Sequence, residues 1–347
     1  MNDKPLIFII ILNWNKNDQT LDCIRSVERS SYRNYKIVVI DNAPIEKLEK
    51  RLAAEFPEVV YLHNQKNLGF TGGNNQGIEY ALSEGADYIL LFNNDAEMSE
   101  NCLASLVAEA ESDTKIGLLS PVIYNPNKPN KPFFGSYSDV KKGVIFNAYD
   151  LDIYLEWEKN EPEKIVLWGT ALLIKREVVE KIGLLDNDFF AYYEDNDFSR
   201  RVSSAGYFSK TCLKEMVIHH ADNSAVNEKK SYRFFLMSRN LYLFWRKSGI
   251  SKGESIFRTL YLYLPQVSAL YREGKQTILK PMIAGLWQGI VLNRFGAPPE
   301  KLDPPCLVYV GSMVFSRPLF CLLPKMRWVI VTGQRVFQKL AKILRGR

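Results

Sequence analysis

Histidine and cysteine are scarce in this chain, and neither occurs in a pattern that would build a zinc site. There are 3 histidines among 347 residues, and the 5 cysteines are odd in number, widely spaced and without a Cys-x-x-Cys pair. This distribution argues against a disulfide framework as well as against zinc. We therefore expect a reduced, cytoplasmic compartment.

Uninterrupted apolar runs of the length that spans a bilayer are also lacking. A spanning helix needs about 20 predominantly apolar residues, whereas the apolar segment 307–330 is broken near Arg317 and again near Lys325. Three interpretations stay open for this segment: helices at a membrane surface, which we favour, a buried helical pair that faces a partner, or a re-entrant or spanning segment. The N-terminal apolar run 6–12 has no small-residue cleavage site after it, which predicts a buried strand rather than a signal peptide.

Acidic residues are rare in the last third of the chain. Residues 229–347 contain 21 Lys and Arg but 4 Asp and Glu, a net charge of +17, while the whole chain carries +6. The first 228 residues are therefore acidic. A basic surface of this kind suits an anionic membrane face or nucleic acid. Its charges alternate with large apolar residues, which favours lipid and argues against a nucleic-acid partner.

The first half of the chain alternates strand-like and helix-like segments. Apolar runs at 6–12, 36–40, 59–63 and 88–92 are separated by amphipathic segments at 18–30, 45–55, 74–83 and 99–111. This alternation predicts an α/β fold with a mostly parallel twisted sheet and helices on both faces.

The alternation of strand-like and helix-like segments ends before residues 125–160. These residues are rich in Pro, Lys, Gly and aromatic residues, and they predict a loop with a hairpin. Short helices are predicted at 176–182 and 195–205, and longer amphipathic ones at 231–247, 251–272 and 276–294. We divide the chain into a first part, residues 1–228, and a basic, helical, membrane-associating region, residues 229–347. Within the first part we place a further boundary between residues 124 and 125.

Polar residues follow several of the apolar runs at the point where each strand should end. They are Asn13-Trp14-Asn15, Asp41-Asn42 and Asn93-Asn94-Asp95. In an open α/β sheet, ligands bind beyond the carboxyl ends of the strands, so these residues predict one shared site. Asp41 could accept a hydrogen bond from a nucleobase or ribose, and Asp95 could hold a hard divalent cation. Both could instead be turn or helix-capping residues.

A loop rich in glycine and asparagine, residues 67–77, lies between the second and third of these motifs. Glycines allow close approach of the backbone to a ligand, and a following helix N-terminus favours an anion. The segment is neither a Walker loop nor a clean G-x-G-x-x-G, and a tight turn into a helix is the alternative.

Two further motifs carry titratable groups. Glu194, Asp195 and Asp197 place three carboxylates within four residues. Their mutual repulsion raises their pKa values, which suits a general base. The three residues could instead complement a helix N-terminus.

His219 and His220 follow a short apolar stretch. Because neighbouring side chains on a strand point in opposite directions, at most one is a metal ligand, and we favour His219.

In this order and spacing, the motifs resemble those of family 2 glycosyltransferases of the GT-A fold, most closely the rhamnosyltransferase-type members that build bacterial surface polysaccharides. The resemblance covers residues 6–248. It implies that residues 1–228 form the catalytic domain, with a nucleotide half at 1–124 and an acceptor half at 125–228. It is carried by residues 11–15, 39–42, 67–77, 93–96, 168–171, 190–197, 219–224 and 239–240.

The resemblance implies a role for each matching position. A nucleotide-sugar site is implied for Asn13, Trp14, Asn15, Asp41, Asn67, Gly69, Phe70, Gly73, Asn74, Asn93 and Asn94. A sugar and acceptor site is implied for Trp168, Gly169 and Asp197. Asp195 is the implied catalytic base with Glu194 in support, and Asp95 and His219 are the implied metal ligands. The D-x-D position of the family holds one carboxylate here, so the metal is expected to be held mostly through the diphosphate.

The implied activity is inverting transfer of a sugar, L-rhamnose from dTDP-rhamnose or a hexose from a UDP-sugar, with Mg²⁺ or Mn²⁺. The expected acceptor is a saccharide or a lipid-diphosphate-linked saccharide of O-antigen or cell-wall synthesis. The expected location is the cytoplasmic face of the bacterial inner membrane, bound peripherally to an anionic surface, with an oligomer possible. The alternatives are a non-catalytic nucleotide-sugar-binding or scaffold protein and, less favoured, a nucleotidyltransferase, since residues 11–22 lack a glycine-rich basic loop.

Overall fold

The computed structural model describes residues 4–220, 228–300, 302 and 304. The chain divides into two compact units, Met1–Ser224 and Ala225–Arg347. The segment 307–330, for which the sequence left three interpretations, lies outside the described residues.

The first unit combines eleven strands and seven α-helices in its described part. The strands are β1 Ile7–Asn13, β2 Tyr35–Asn42, β3 Val60–Asn64, β4 Tyr88–Asn93, β5 Ala96–Met98, β6 Ile116–Tyr124, β7 Gly135–Asp139, β8 Val144–Ala148, β9 Ile165–Val166, β10 Ala171–Lys175 and β11 Phe208–His219. The helices are α1 Asn17–Glu28, α2 Glu49–Glu55, α3 Gly69–Ser83, α4 Cys102–Ser112, α5 Leu151–Asn160, α6 Arg176–Ile182 and α7 Glu194–Ser204.

Eight of the strands form one mixed sheet in the order β3-β2-β1-β4-β10-β6-β11-β5. The run from β3 to β4 is parallel, as is the pair β6 and β11, whereas β10 and β5 run antiparallel to their neighbours. The remaining strands form a small sheet in the order β8-β7-β9. The predicted mostly parallel sheet is therefore confirmed.

Helices cover both faces of the large sheet, as predicted. Along β1, Ile7, Ile9 and Ile11 contribute to the core beneath α1, α2 and α4, while Phe8 and Ile10 contribute to the core beneath α3, α6 and α7. Side chains alternate between the two faces of a strand, so a strand that is apolar at every position is buried on both.

Three elements differ from the sequence-based expectation. Helix α3 begins at Gly69 rather than near residue 74. Strand β6 was not predicted, and its internal Pro121 lies opposite Cys212, where β11 is irregular; proline has no N–H for the ladder and favours such a bulge. The hairpin expected within residues 125–160 is present as β7 and β8, but residues 151–160 form helix α5, which was not predicted. The side chain of Asp150 caps this helix by accepting from the backbone N–H groups of Asp152 and Ile153.

The second unit contains three long helices in its described part: α8 Glu228–Lys247, α9 Lys252–Arg272 and α10 Gln276–Leu286, which continues into a π-turn at Trp287–Val291. Helices α8 and α10 pack closely, since a Cβ at Gly285 would lie 2.2 Å from the carbonyl oxygen of Phe235. The aromatic residues Phe235, Tyr242, Phe244 and Trp245 are buried. Packing therefore explains the aromatic content of α8, and these side chains offer no surface to lipid. Among the helices that the structure describes, none is both long and apolar enough to cross a membrane.

Candidate functional site

The polar motifs predicted to share a site meet at one edge of the large sheet. Asn13 at the end of β1 lies opposite Asp41 on β2, and Leu12 lies opposite Asn93 on β4. Parallel strands end on the same side of a sheet, which brings these residues together although they are far apart in the sequence.

Asn13 and Asp41 form the buried floor of this edge. The side-chain amide of Asn13 donates to Asp41 Oδ1 at 2.8 Å, and its carbonyl oxygen accepts from the hydroxyl of Thr20 at 3.0 Å. Asp41 Oδ2 accepts from the phenol of Tyr61 at 2.7 Å and from the N–H of Leu48 at 3.3 Å. Asn13 and Asp41 have no exposed surface. Both therefore hold neighbouring groups in place in this state, and a nucleobase reaches them only if that network opens.

Trp14 and Asn15 lie above this floor. Trp14 is 43% exposed and offers an aromatic surface. Asn15 adopts a positive φ of 53°, and its side-chain oxygen accepts from the N–H of Ile45 at 2.8 Å. This bond ties the end of β1 to the loop after β2, and it leaves Trp14 as the member of the motif best placed to stack on a base.

Asn42 organises the start of the Gly/Asn segment, a role that the sequence analysis did not assign. Its side-chain amide donates to Asn67 Oδ1 at 2.9 Å and to the carbonyl of Gly69 at 3.0 Å, and its oxygen accepts from the N–H of Leu68 at 2.9 Å. Asn67 also accepts from the N–H of Gly69. The only sequence signal was the position of Asn42 beside Asp41 at a strand end.

Gly69 is required by its surroundings. It has a φ of +74°, and a Cβ there would lie 2.4 Å from the carbonyl oxygen of Phe190. The N–H of Thr71 donates to the same carbonyl at 3.1 Å. The first turn of α3 is thereby docked against the segment that precedes α7.

We expect Gly69→Ala to lower the free energy of unfolding by about 2–4 kcal/mol, because it adds a backbone clash to the strain of a left-handed conformation. Gly85→Ala is the matched control: its φ is +81°, and a Cβ there would meet nothing within 4 Å. The control should therefore cost about 1 kcal/mol. Urea unfolding of both variants measures the difference, and equal losses would show that the contact with Phe190 is unimportant.

Other predicted residues of α3 have packing roles. A Cβ at Gly73 would lie 2.4 Å from Leu12 Cδ1, so this glycine lets the helix approach β1. Asn74 is buried, and its side-chain amide donates to the carbonyl of Phe70 at 2.8 Å. Asn75, which was not predicted, accepts from the N–H of Leu185 at 3.0 Å. Sequence spacing does not distinguish such packing contacts from ligand contacts.

Asp95 and His219 lie together, as the metal-site prediction requires. His219 Nε2 lies 3.1 Å from Asp95 Oδ1, and the two side chains are 18% and 23% exposed. Strand β11 pairs with β5 so that His219 lies opposite Ala96. His220 points elsewhere, with its Nε2 3.0 Å from Glu97 Oε1. Within the residues that the structure describes, there is no cluster of three or more His, Cys, Asp or Glu that could hold a metal.

Asn93 and Asn94 connect the strand end to its surroundings. The N–H of Asn93 donates to the carbonyl of Thr170 at 2.9 Å. The side-chain amide of Asn94 donates to the hydroxyl of Thr20 at 3.0 Å, and Thr20 in turn donates to Asn13. Asn93 and Asn94 thus join the motif of Asp95 to β1 and to the segment before β10.

Trp168 and Gly169 lie in an aromatic layer. The ring of Trp168 stacks on Phe133 with centroids 3.5 Å apart, and a Cβ at Gly169 would lie 2.9 Å from the ring of Phe70. The N–H of Gly169 donates to the carboxylate of Asp195. This segment therefore links three predicted site residues, Phe70, Trp168 and Asp195.

Asp195 and Glu194 begin α7 in a strained turn. Phe190, Tyr192 and Tyr193 all have positive φ values, 63°, 70° and 72°, and strain of this kind clusters at functional sites. Asp195 Oδ1 accepts from the backbone N–H and the side-chain amide of Asn196, at 2.8 and 2.9 Å.

The two carboxyl groups differ in environment. Burial raises the pKa of Asp195, and hydrogen bonds from Asn196 and Gly169 oppose the shift. Burial followed by the negative charge of Asp195 raises the pKa of Glu194 well above its ordinary value of 4.5. Glu194 Oε2 is buried without a hydrogen-bond partner. Glu194 therefore keeps its proton to a higher pH, and Asp195 is the group that ionises first.

Glu194→Gln copies the shape of the protonated acid, so we expect it to retain activity and to leave the acid limb of the pH–rate profile in place. Its effect should appear in stability. A carboxyl with a raised pKa contributes stability that is present below its ordinary value of 4.5 and lost as the pH rises through the raised value. The melting temperature of the wild-type protein should fall over that interval, and the fall should be smaller in the variant. An unchanged pH dependence would contradict the assignment.

Asp197 has a structural role. It is buried, and its two oxygens pair with Arg200 at 2.9 Å and Arg201 at 2.7 Å. Arg201 also donates to the carbonyls of Ile182 and Leu184. With both oxygens paired inside the protein, Asp197 is not presented to a sugar or an acceptor, in contrast to the expectation from the resemblance.

Comparison with solved structures establishes the architecture. The mannosyltransferase PcManGT from Pyrobaculum calidifontis, solved in complex with GDP-Man and Mn²⁺, matches with a TM-score of 0.55 at 13% identity, covering 84% of this chain and 89% of that one. Staphylococcus aureus TarS, residues 1–349, matches with a TM-score of 0.53 at 10% identity, covering 83% and 82%. At these identities the likeness shows the fold alone, and the predicted GT-A architecture is confirmed.

Comparison with curated proteins addresses the family. The low-salt glycan biosynthesis hexosyltransferase Agl10 of Haloferax volcanii is 26% identical over 298 residues, 84% of this chain and 92% of that protein. The N-acetylglucosaminyl-diphospho-decaprenol L-rhamnosyltransferase of Mycobacterium tuberculosis is 22% identical over 227 residues, 60% and 74%. The dTDP-rhamnosyl transferase RfbF of Shigella flexneri is 21% identical over 262 residues, 74% and 85%. The model of the family described as glycosyl transferase family 2 matches residues 8–183. The chain therefore belongs to glycosyltransferase family 2 and is a glycosyltransferase.

Proposed function

We propose that this enzyme transfers a sugar, with inversion, from a nucleoside diphosphate donor to a hydroxyl group of a saccharide acceptor. The observation that carries the proposal is the pairing of His219 with Asp95 at 3.1 Å, at the end of the sheet where β1 and β2 place Asn13 and Asp41. A segment bonded to both Asn93 and Asp195 connects that edge to a second carboxylate. The site thus has one group for the leaving diphosphate and another for the nucleophile.

Asp195 is the proposed general base. It removes the proton from the acceptor hydroxyl as that oxygen forms a bond to the anomeric carbon, and the bond from this carbon to the donor diphosphate breaks in the same step. Its raised pKa makes it a stronger base than an exposed aspartate. The raised pKa of Glu194 favours its neutral form and so limits a second negative charge beside the proposed base.

Asp95 and His219 are the proposed protein ligands of a divalent cation. A carboxylate oxygen and an imidazole nitrogen 3.1 Å apart, both partly exposed, are chemically suited to one cation. They supply two donors, so the other positions fall to the diphosphate and water. Bound Mg²⁺ or Mn²⁺ would neutralise charge on the departing diphosphate.

For the substrates, we favour dTDP-rhamnose or a UDP-hexose as donor and a lipid-diphosphate-linked saccharide as acceptor. The names of two relatives support this choice, since one is a dTDP-rhamnosyl transferase and the other an L-rhamnosyltransferase for a diphospho-decaprenol acceptor. An acceptor of that kind is held in a membrane, and the cytoplasmic face is the location that we propose. The net charge of +17 in residues 229–347 supports peripheral binding to anionic lipid.

A donor screen tests the proposal. Release of nucleoside diphosphate is measured with dTDP-rhamnose and several UDP-sugars, with and without Mg²⁺ or Mn²⁺, in the presence of membrane lipid extract. We expect metal-dependent turnover of one donor, and no turnover when Asp195 is replaced by Asn. Donor binding without turnover in any combination would favour the alternative of a nucleotide-sugar-binding scaffold protein.

A further inference from the structure

An open cavity of about 360 Å³ lies in the first unit, between the loop after β6 and the start of α5. It is lined by Lys128, Pro129, Asn130, Lys131 and Tyr149. The two lysines are exposed, and no ion pair joins either of them to a carboxylate in the part of the chain that the structure describes. The cavity therefore presents two ammonium groups that are not in ion-pair contact with a carboxylate of the described residues.

Backbone hydrogen bonds give the lysine loop a defined shape. Ile123 and Phe133 exchange N–H to carbonyl bonds at 3.0 and 2.8 Å across its base. The N–H of Lys128 donates to the carbonyl of Asn125 at 2.8 Å, and the N–H of Lys131 donates to that of Lys128 at 3.0 Å. The two ammonium groups thus extend from a turn that is closed at its base.

A continuous series of contacts leads from the cavity to the proposed base. The ring of Tyr149 lies 6.1 Å from that of Phe133, and Phe133 stacks on Trp168. The next residue, Gly169, donates its N–H to Asp195. A ligand in the cavity therefore adjoins Tyr149, which is joined through Phe133 to the aromatic layer of Trp168.

Exposed apolar side chains precede and follow Tyr149 along the chain. Five large ones on β8, in α5 and between them are 38–55% exposed: Phe146, Tyr149, Leu151, Ile153 and Leu155. Leu151 and Leu155 are four residues apart and share one face of α5. Positive charge beside exposed apolar surface suits an amphiphilic anion better than a free phosphate.

We propose that Lys128 and Lys131 bind the diphosphate that joins the acceptor saccharide to its lipid carrier, with the first carbons of the lipid against Tyr149 and Leu151. The inference rests on the proposed function, because the sugar next to this diphosphate must present its hydroxyl to Asp195. It assigns acceptor selectivity to the loop after β6, apart from the donor edge of the sheet.

Calorimetric titration with geranyl diphosphate tests this assignment. The protein is first saturated with the nucleoside diphosphate of its donor, so that the probe cannot occupy the donor site. We expect the Lys128→Gln/Lys131→Gln variant to bind the probe about tenfold more weakly or worse, because two charge-assisted contacts are lost. The matched control is Lys115→Gln/Lys214→Gln, which removes two exposed lysines elsewhere in the same unit and should bind as the wild type does. Inorganic pyrophosphate should bind the wild-type protein more weakly than geranyl diphosphate does.

The outcomes of these titrations distinguish a failure of the proposed diphosphate subsite from a failure of the proposed function. Unchanged affinity for geranyl diphosphate in the cavity variant, with normal nucleoside diphosphate binding, refutes the subsite and leaves the transferase intact. A variant that loses binding to phosphatidylglycerol vesicles while keeping affinity for geranyl diphosphate refutes it too, because the lysines then contact lipid headgroups. Absence of nucleoside diphosphate binding in the wild-type protein would instead refute the proposed function.

Discussion

Asp195→Asn is expected to lower kcat by about 10²–10⁴-fold, the range that a positioned general base contributes. Asparagine has nearly the same shape and still accepts the hydrogen bond from the N–H of Gly169, but it cannot take a proton from the acceptor. The loss should therefore lie in kcat, with the affinity for the donor nucleotide unchanged. Steady-state kinetics together with calorimetric titration of the nucleoside diphosphate measures both quantities.

Two neighbouring variants make this result specific. Glu194→Gln changes the adjacent carboxyl to an amide and is expected to retain activity, since burial and the charge of Asp195 raise the pKa of Glu194 and favour its neutral form. Asp195→Glu keeps a carboxylate but moves it by one methylene, so it should recover part of the activity. Near-wild-type turnover of Asp195→Asn with donor bound would show that another group is the base.

Asp95→Asn is expected to reduce activity on the order of 10²-fold at a fixed, subsaturating concentration of Mn²⁺ or Mg²⁺. The substitution keeps the size of the side chain and removes the charge that pairs with His219 at 3.1 Å. Because the diphosphate supplies further ligands, added metal should recover part of the activity. A metal titration of the initial rate therefore shows a higher half-saturating concentration in the variant.

The matched control is Glu97→Gln. Glu97 is two residues away, and its carboxylate lies 3.0 Å from His220 in an exposed pair. A surface pair of this kind contributes little, so the control should have wild-type metal dependence. Equal effects of the two substitutions would mean that general electrostatics, and not a metal site at Asp95, explains the loss.

Sequence patterning alone predicted the frame of the fold. Residues 7–12 of β1 and 37–40 of β2 are apolar at successive positions, and such runs are typical of strands buried on both faces. The short helix at residues 176–182 was predicted with the bounds that the structure has. Strand β6 escaped prediction because Pro121 interrupts its pattern, and only the bulge in β11 makes that proline acceptable in a sheet.

The residues of the candidate site could be predicted from the sequence only where they lie at the ends of strands. The residues at those ends, Asn13, Asp41 and Asp95, were found because parallel strands terminate on one side. The same reasoning missed Thr20 and Tyr61, whose side chains complete the hydrogen-bond network of the floor. Each comes from a different element, and no sequence spacing relates these residues to one another.

The amino-acid sequence by itself determined the alternation of strands and helices, the family and the edge of the sheet at which we propose the active site, because these depend on periodic burial and on short motifs. Only the tertiary structure decided what each motif residue does. In the folded chain, Asp197 is buried between two arginines, and Gly73 lets α3 approach Leu12. His219 and Asp95 come within 3.1 Å of each other. The physical reason is that hydrogen bonds and packing between distant segments depend on distances in space, which the order of residues along the chain does not contain.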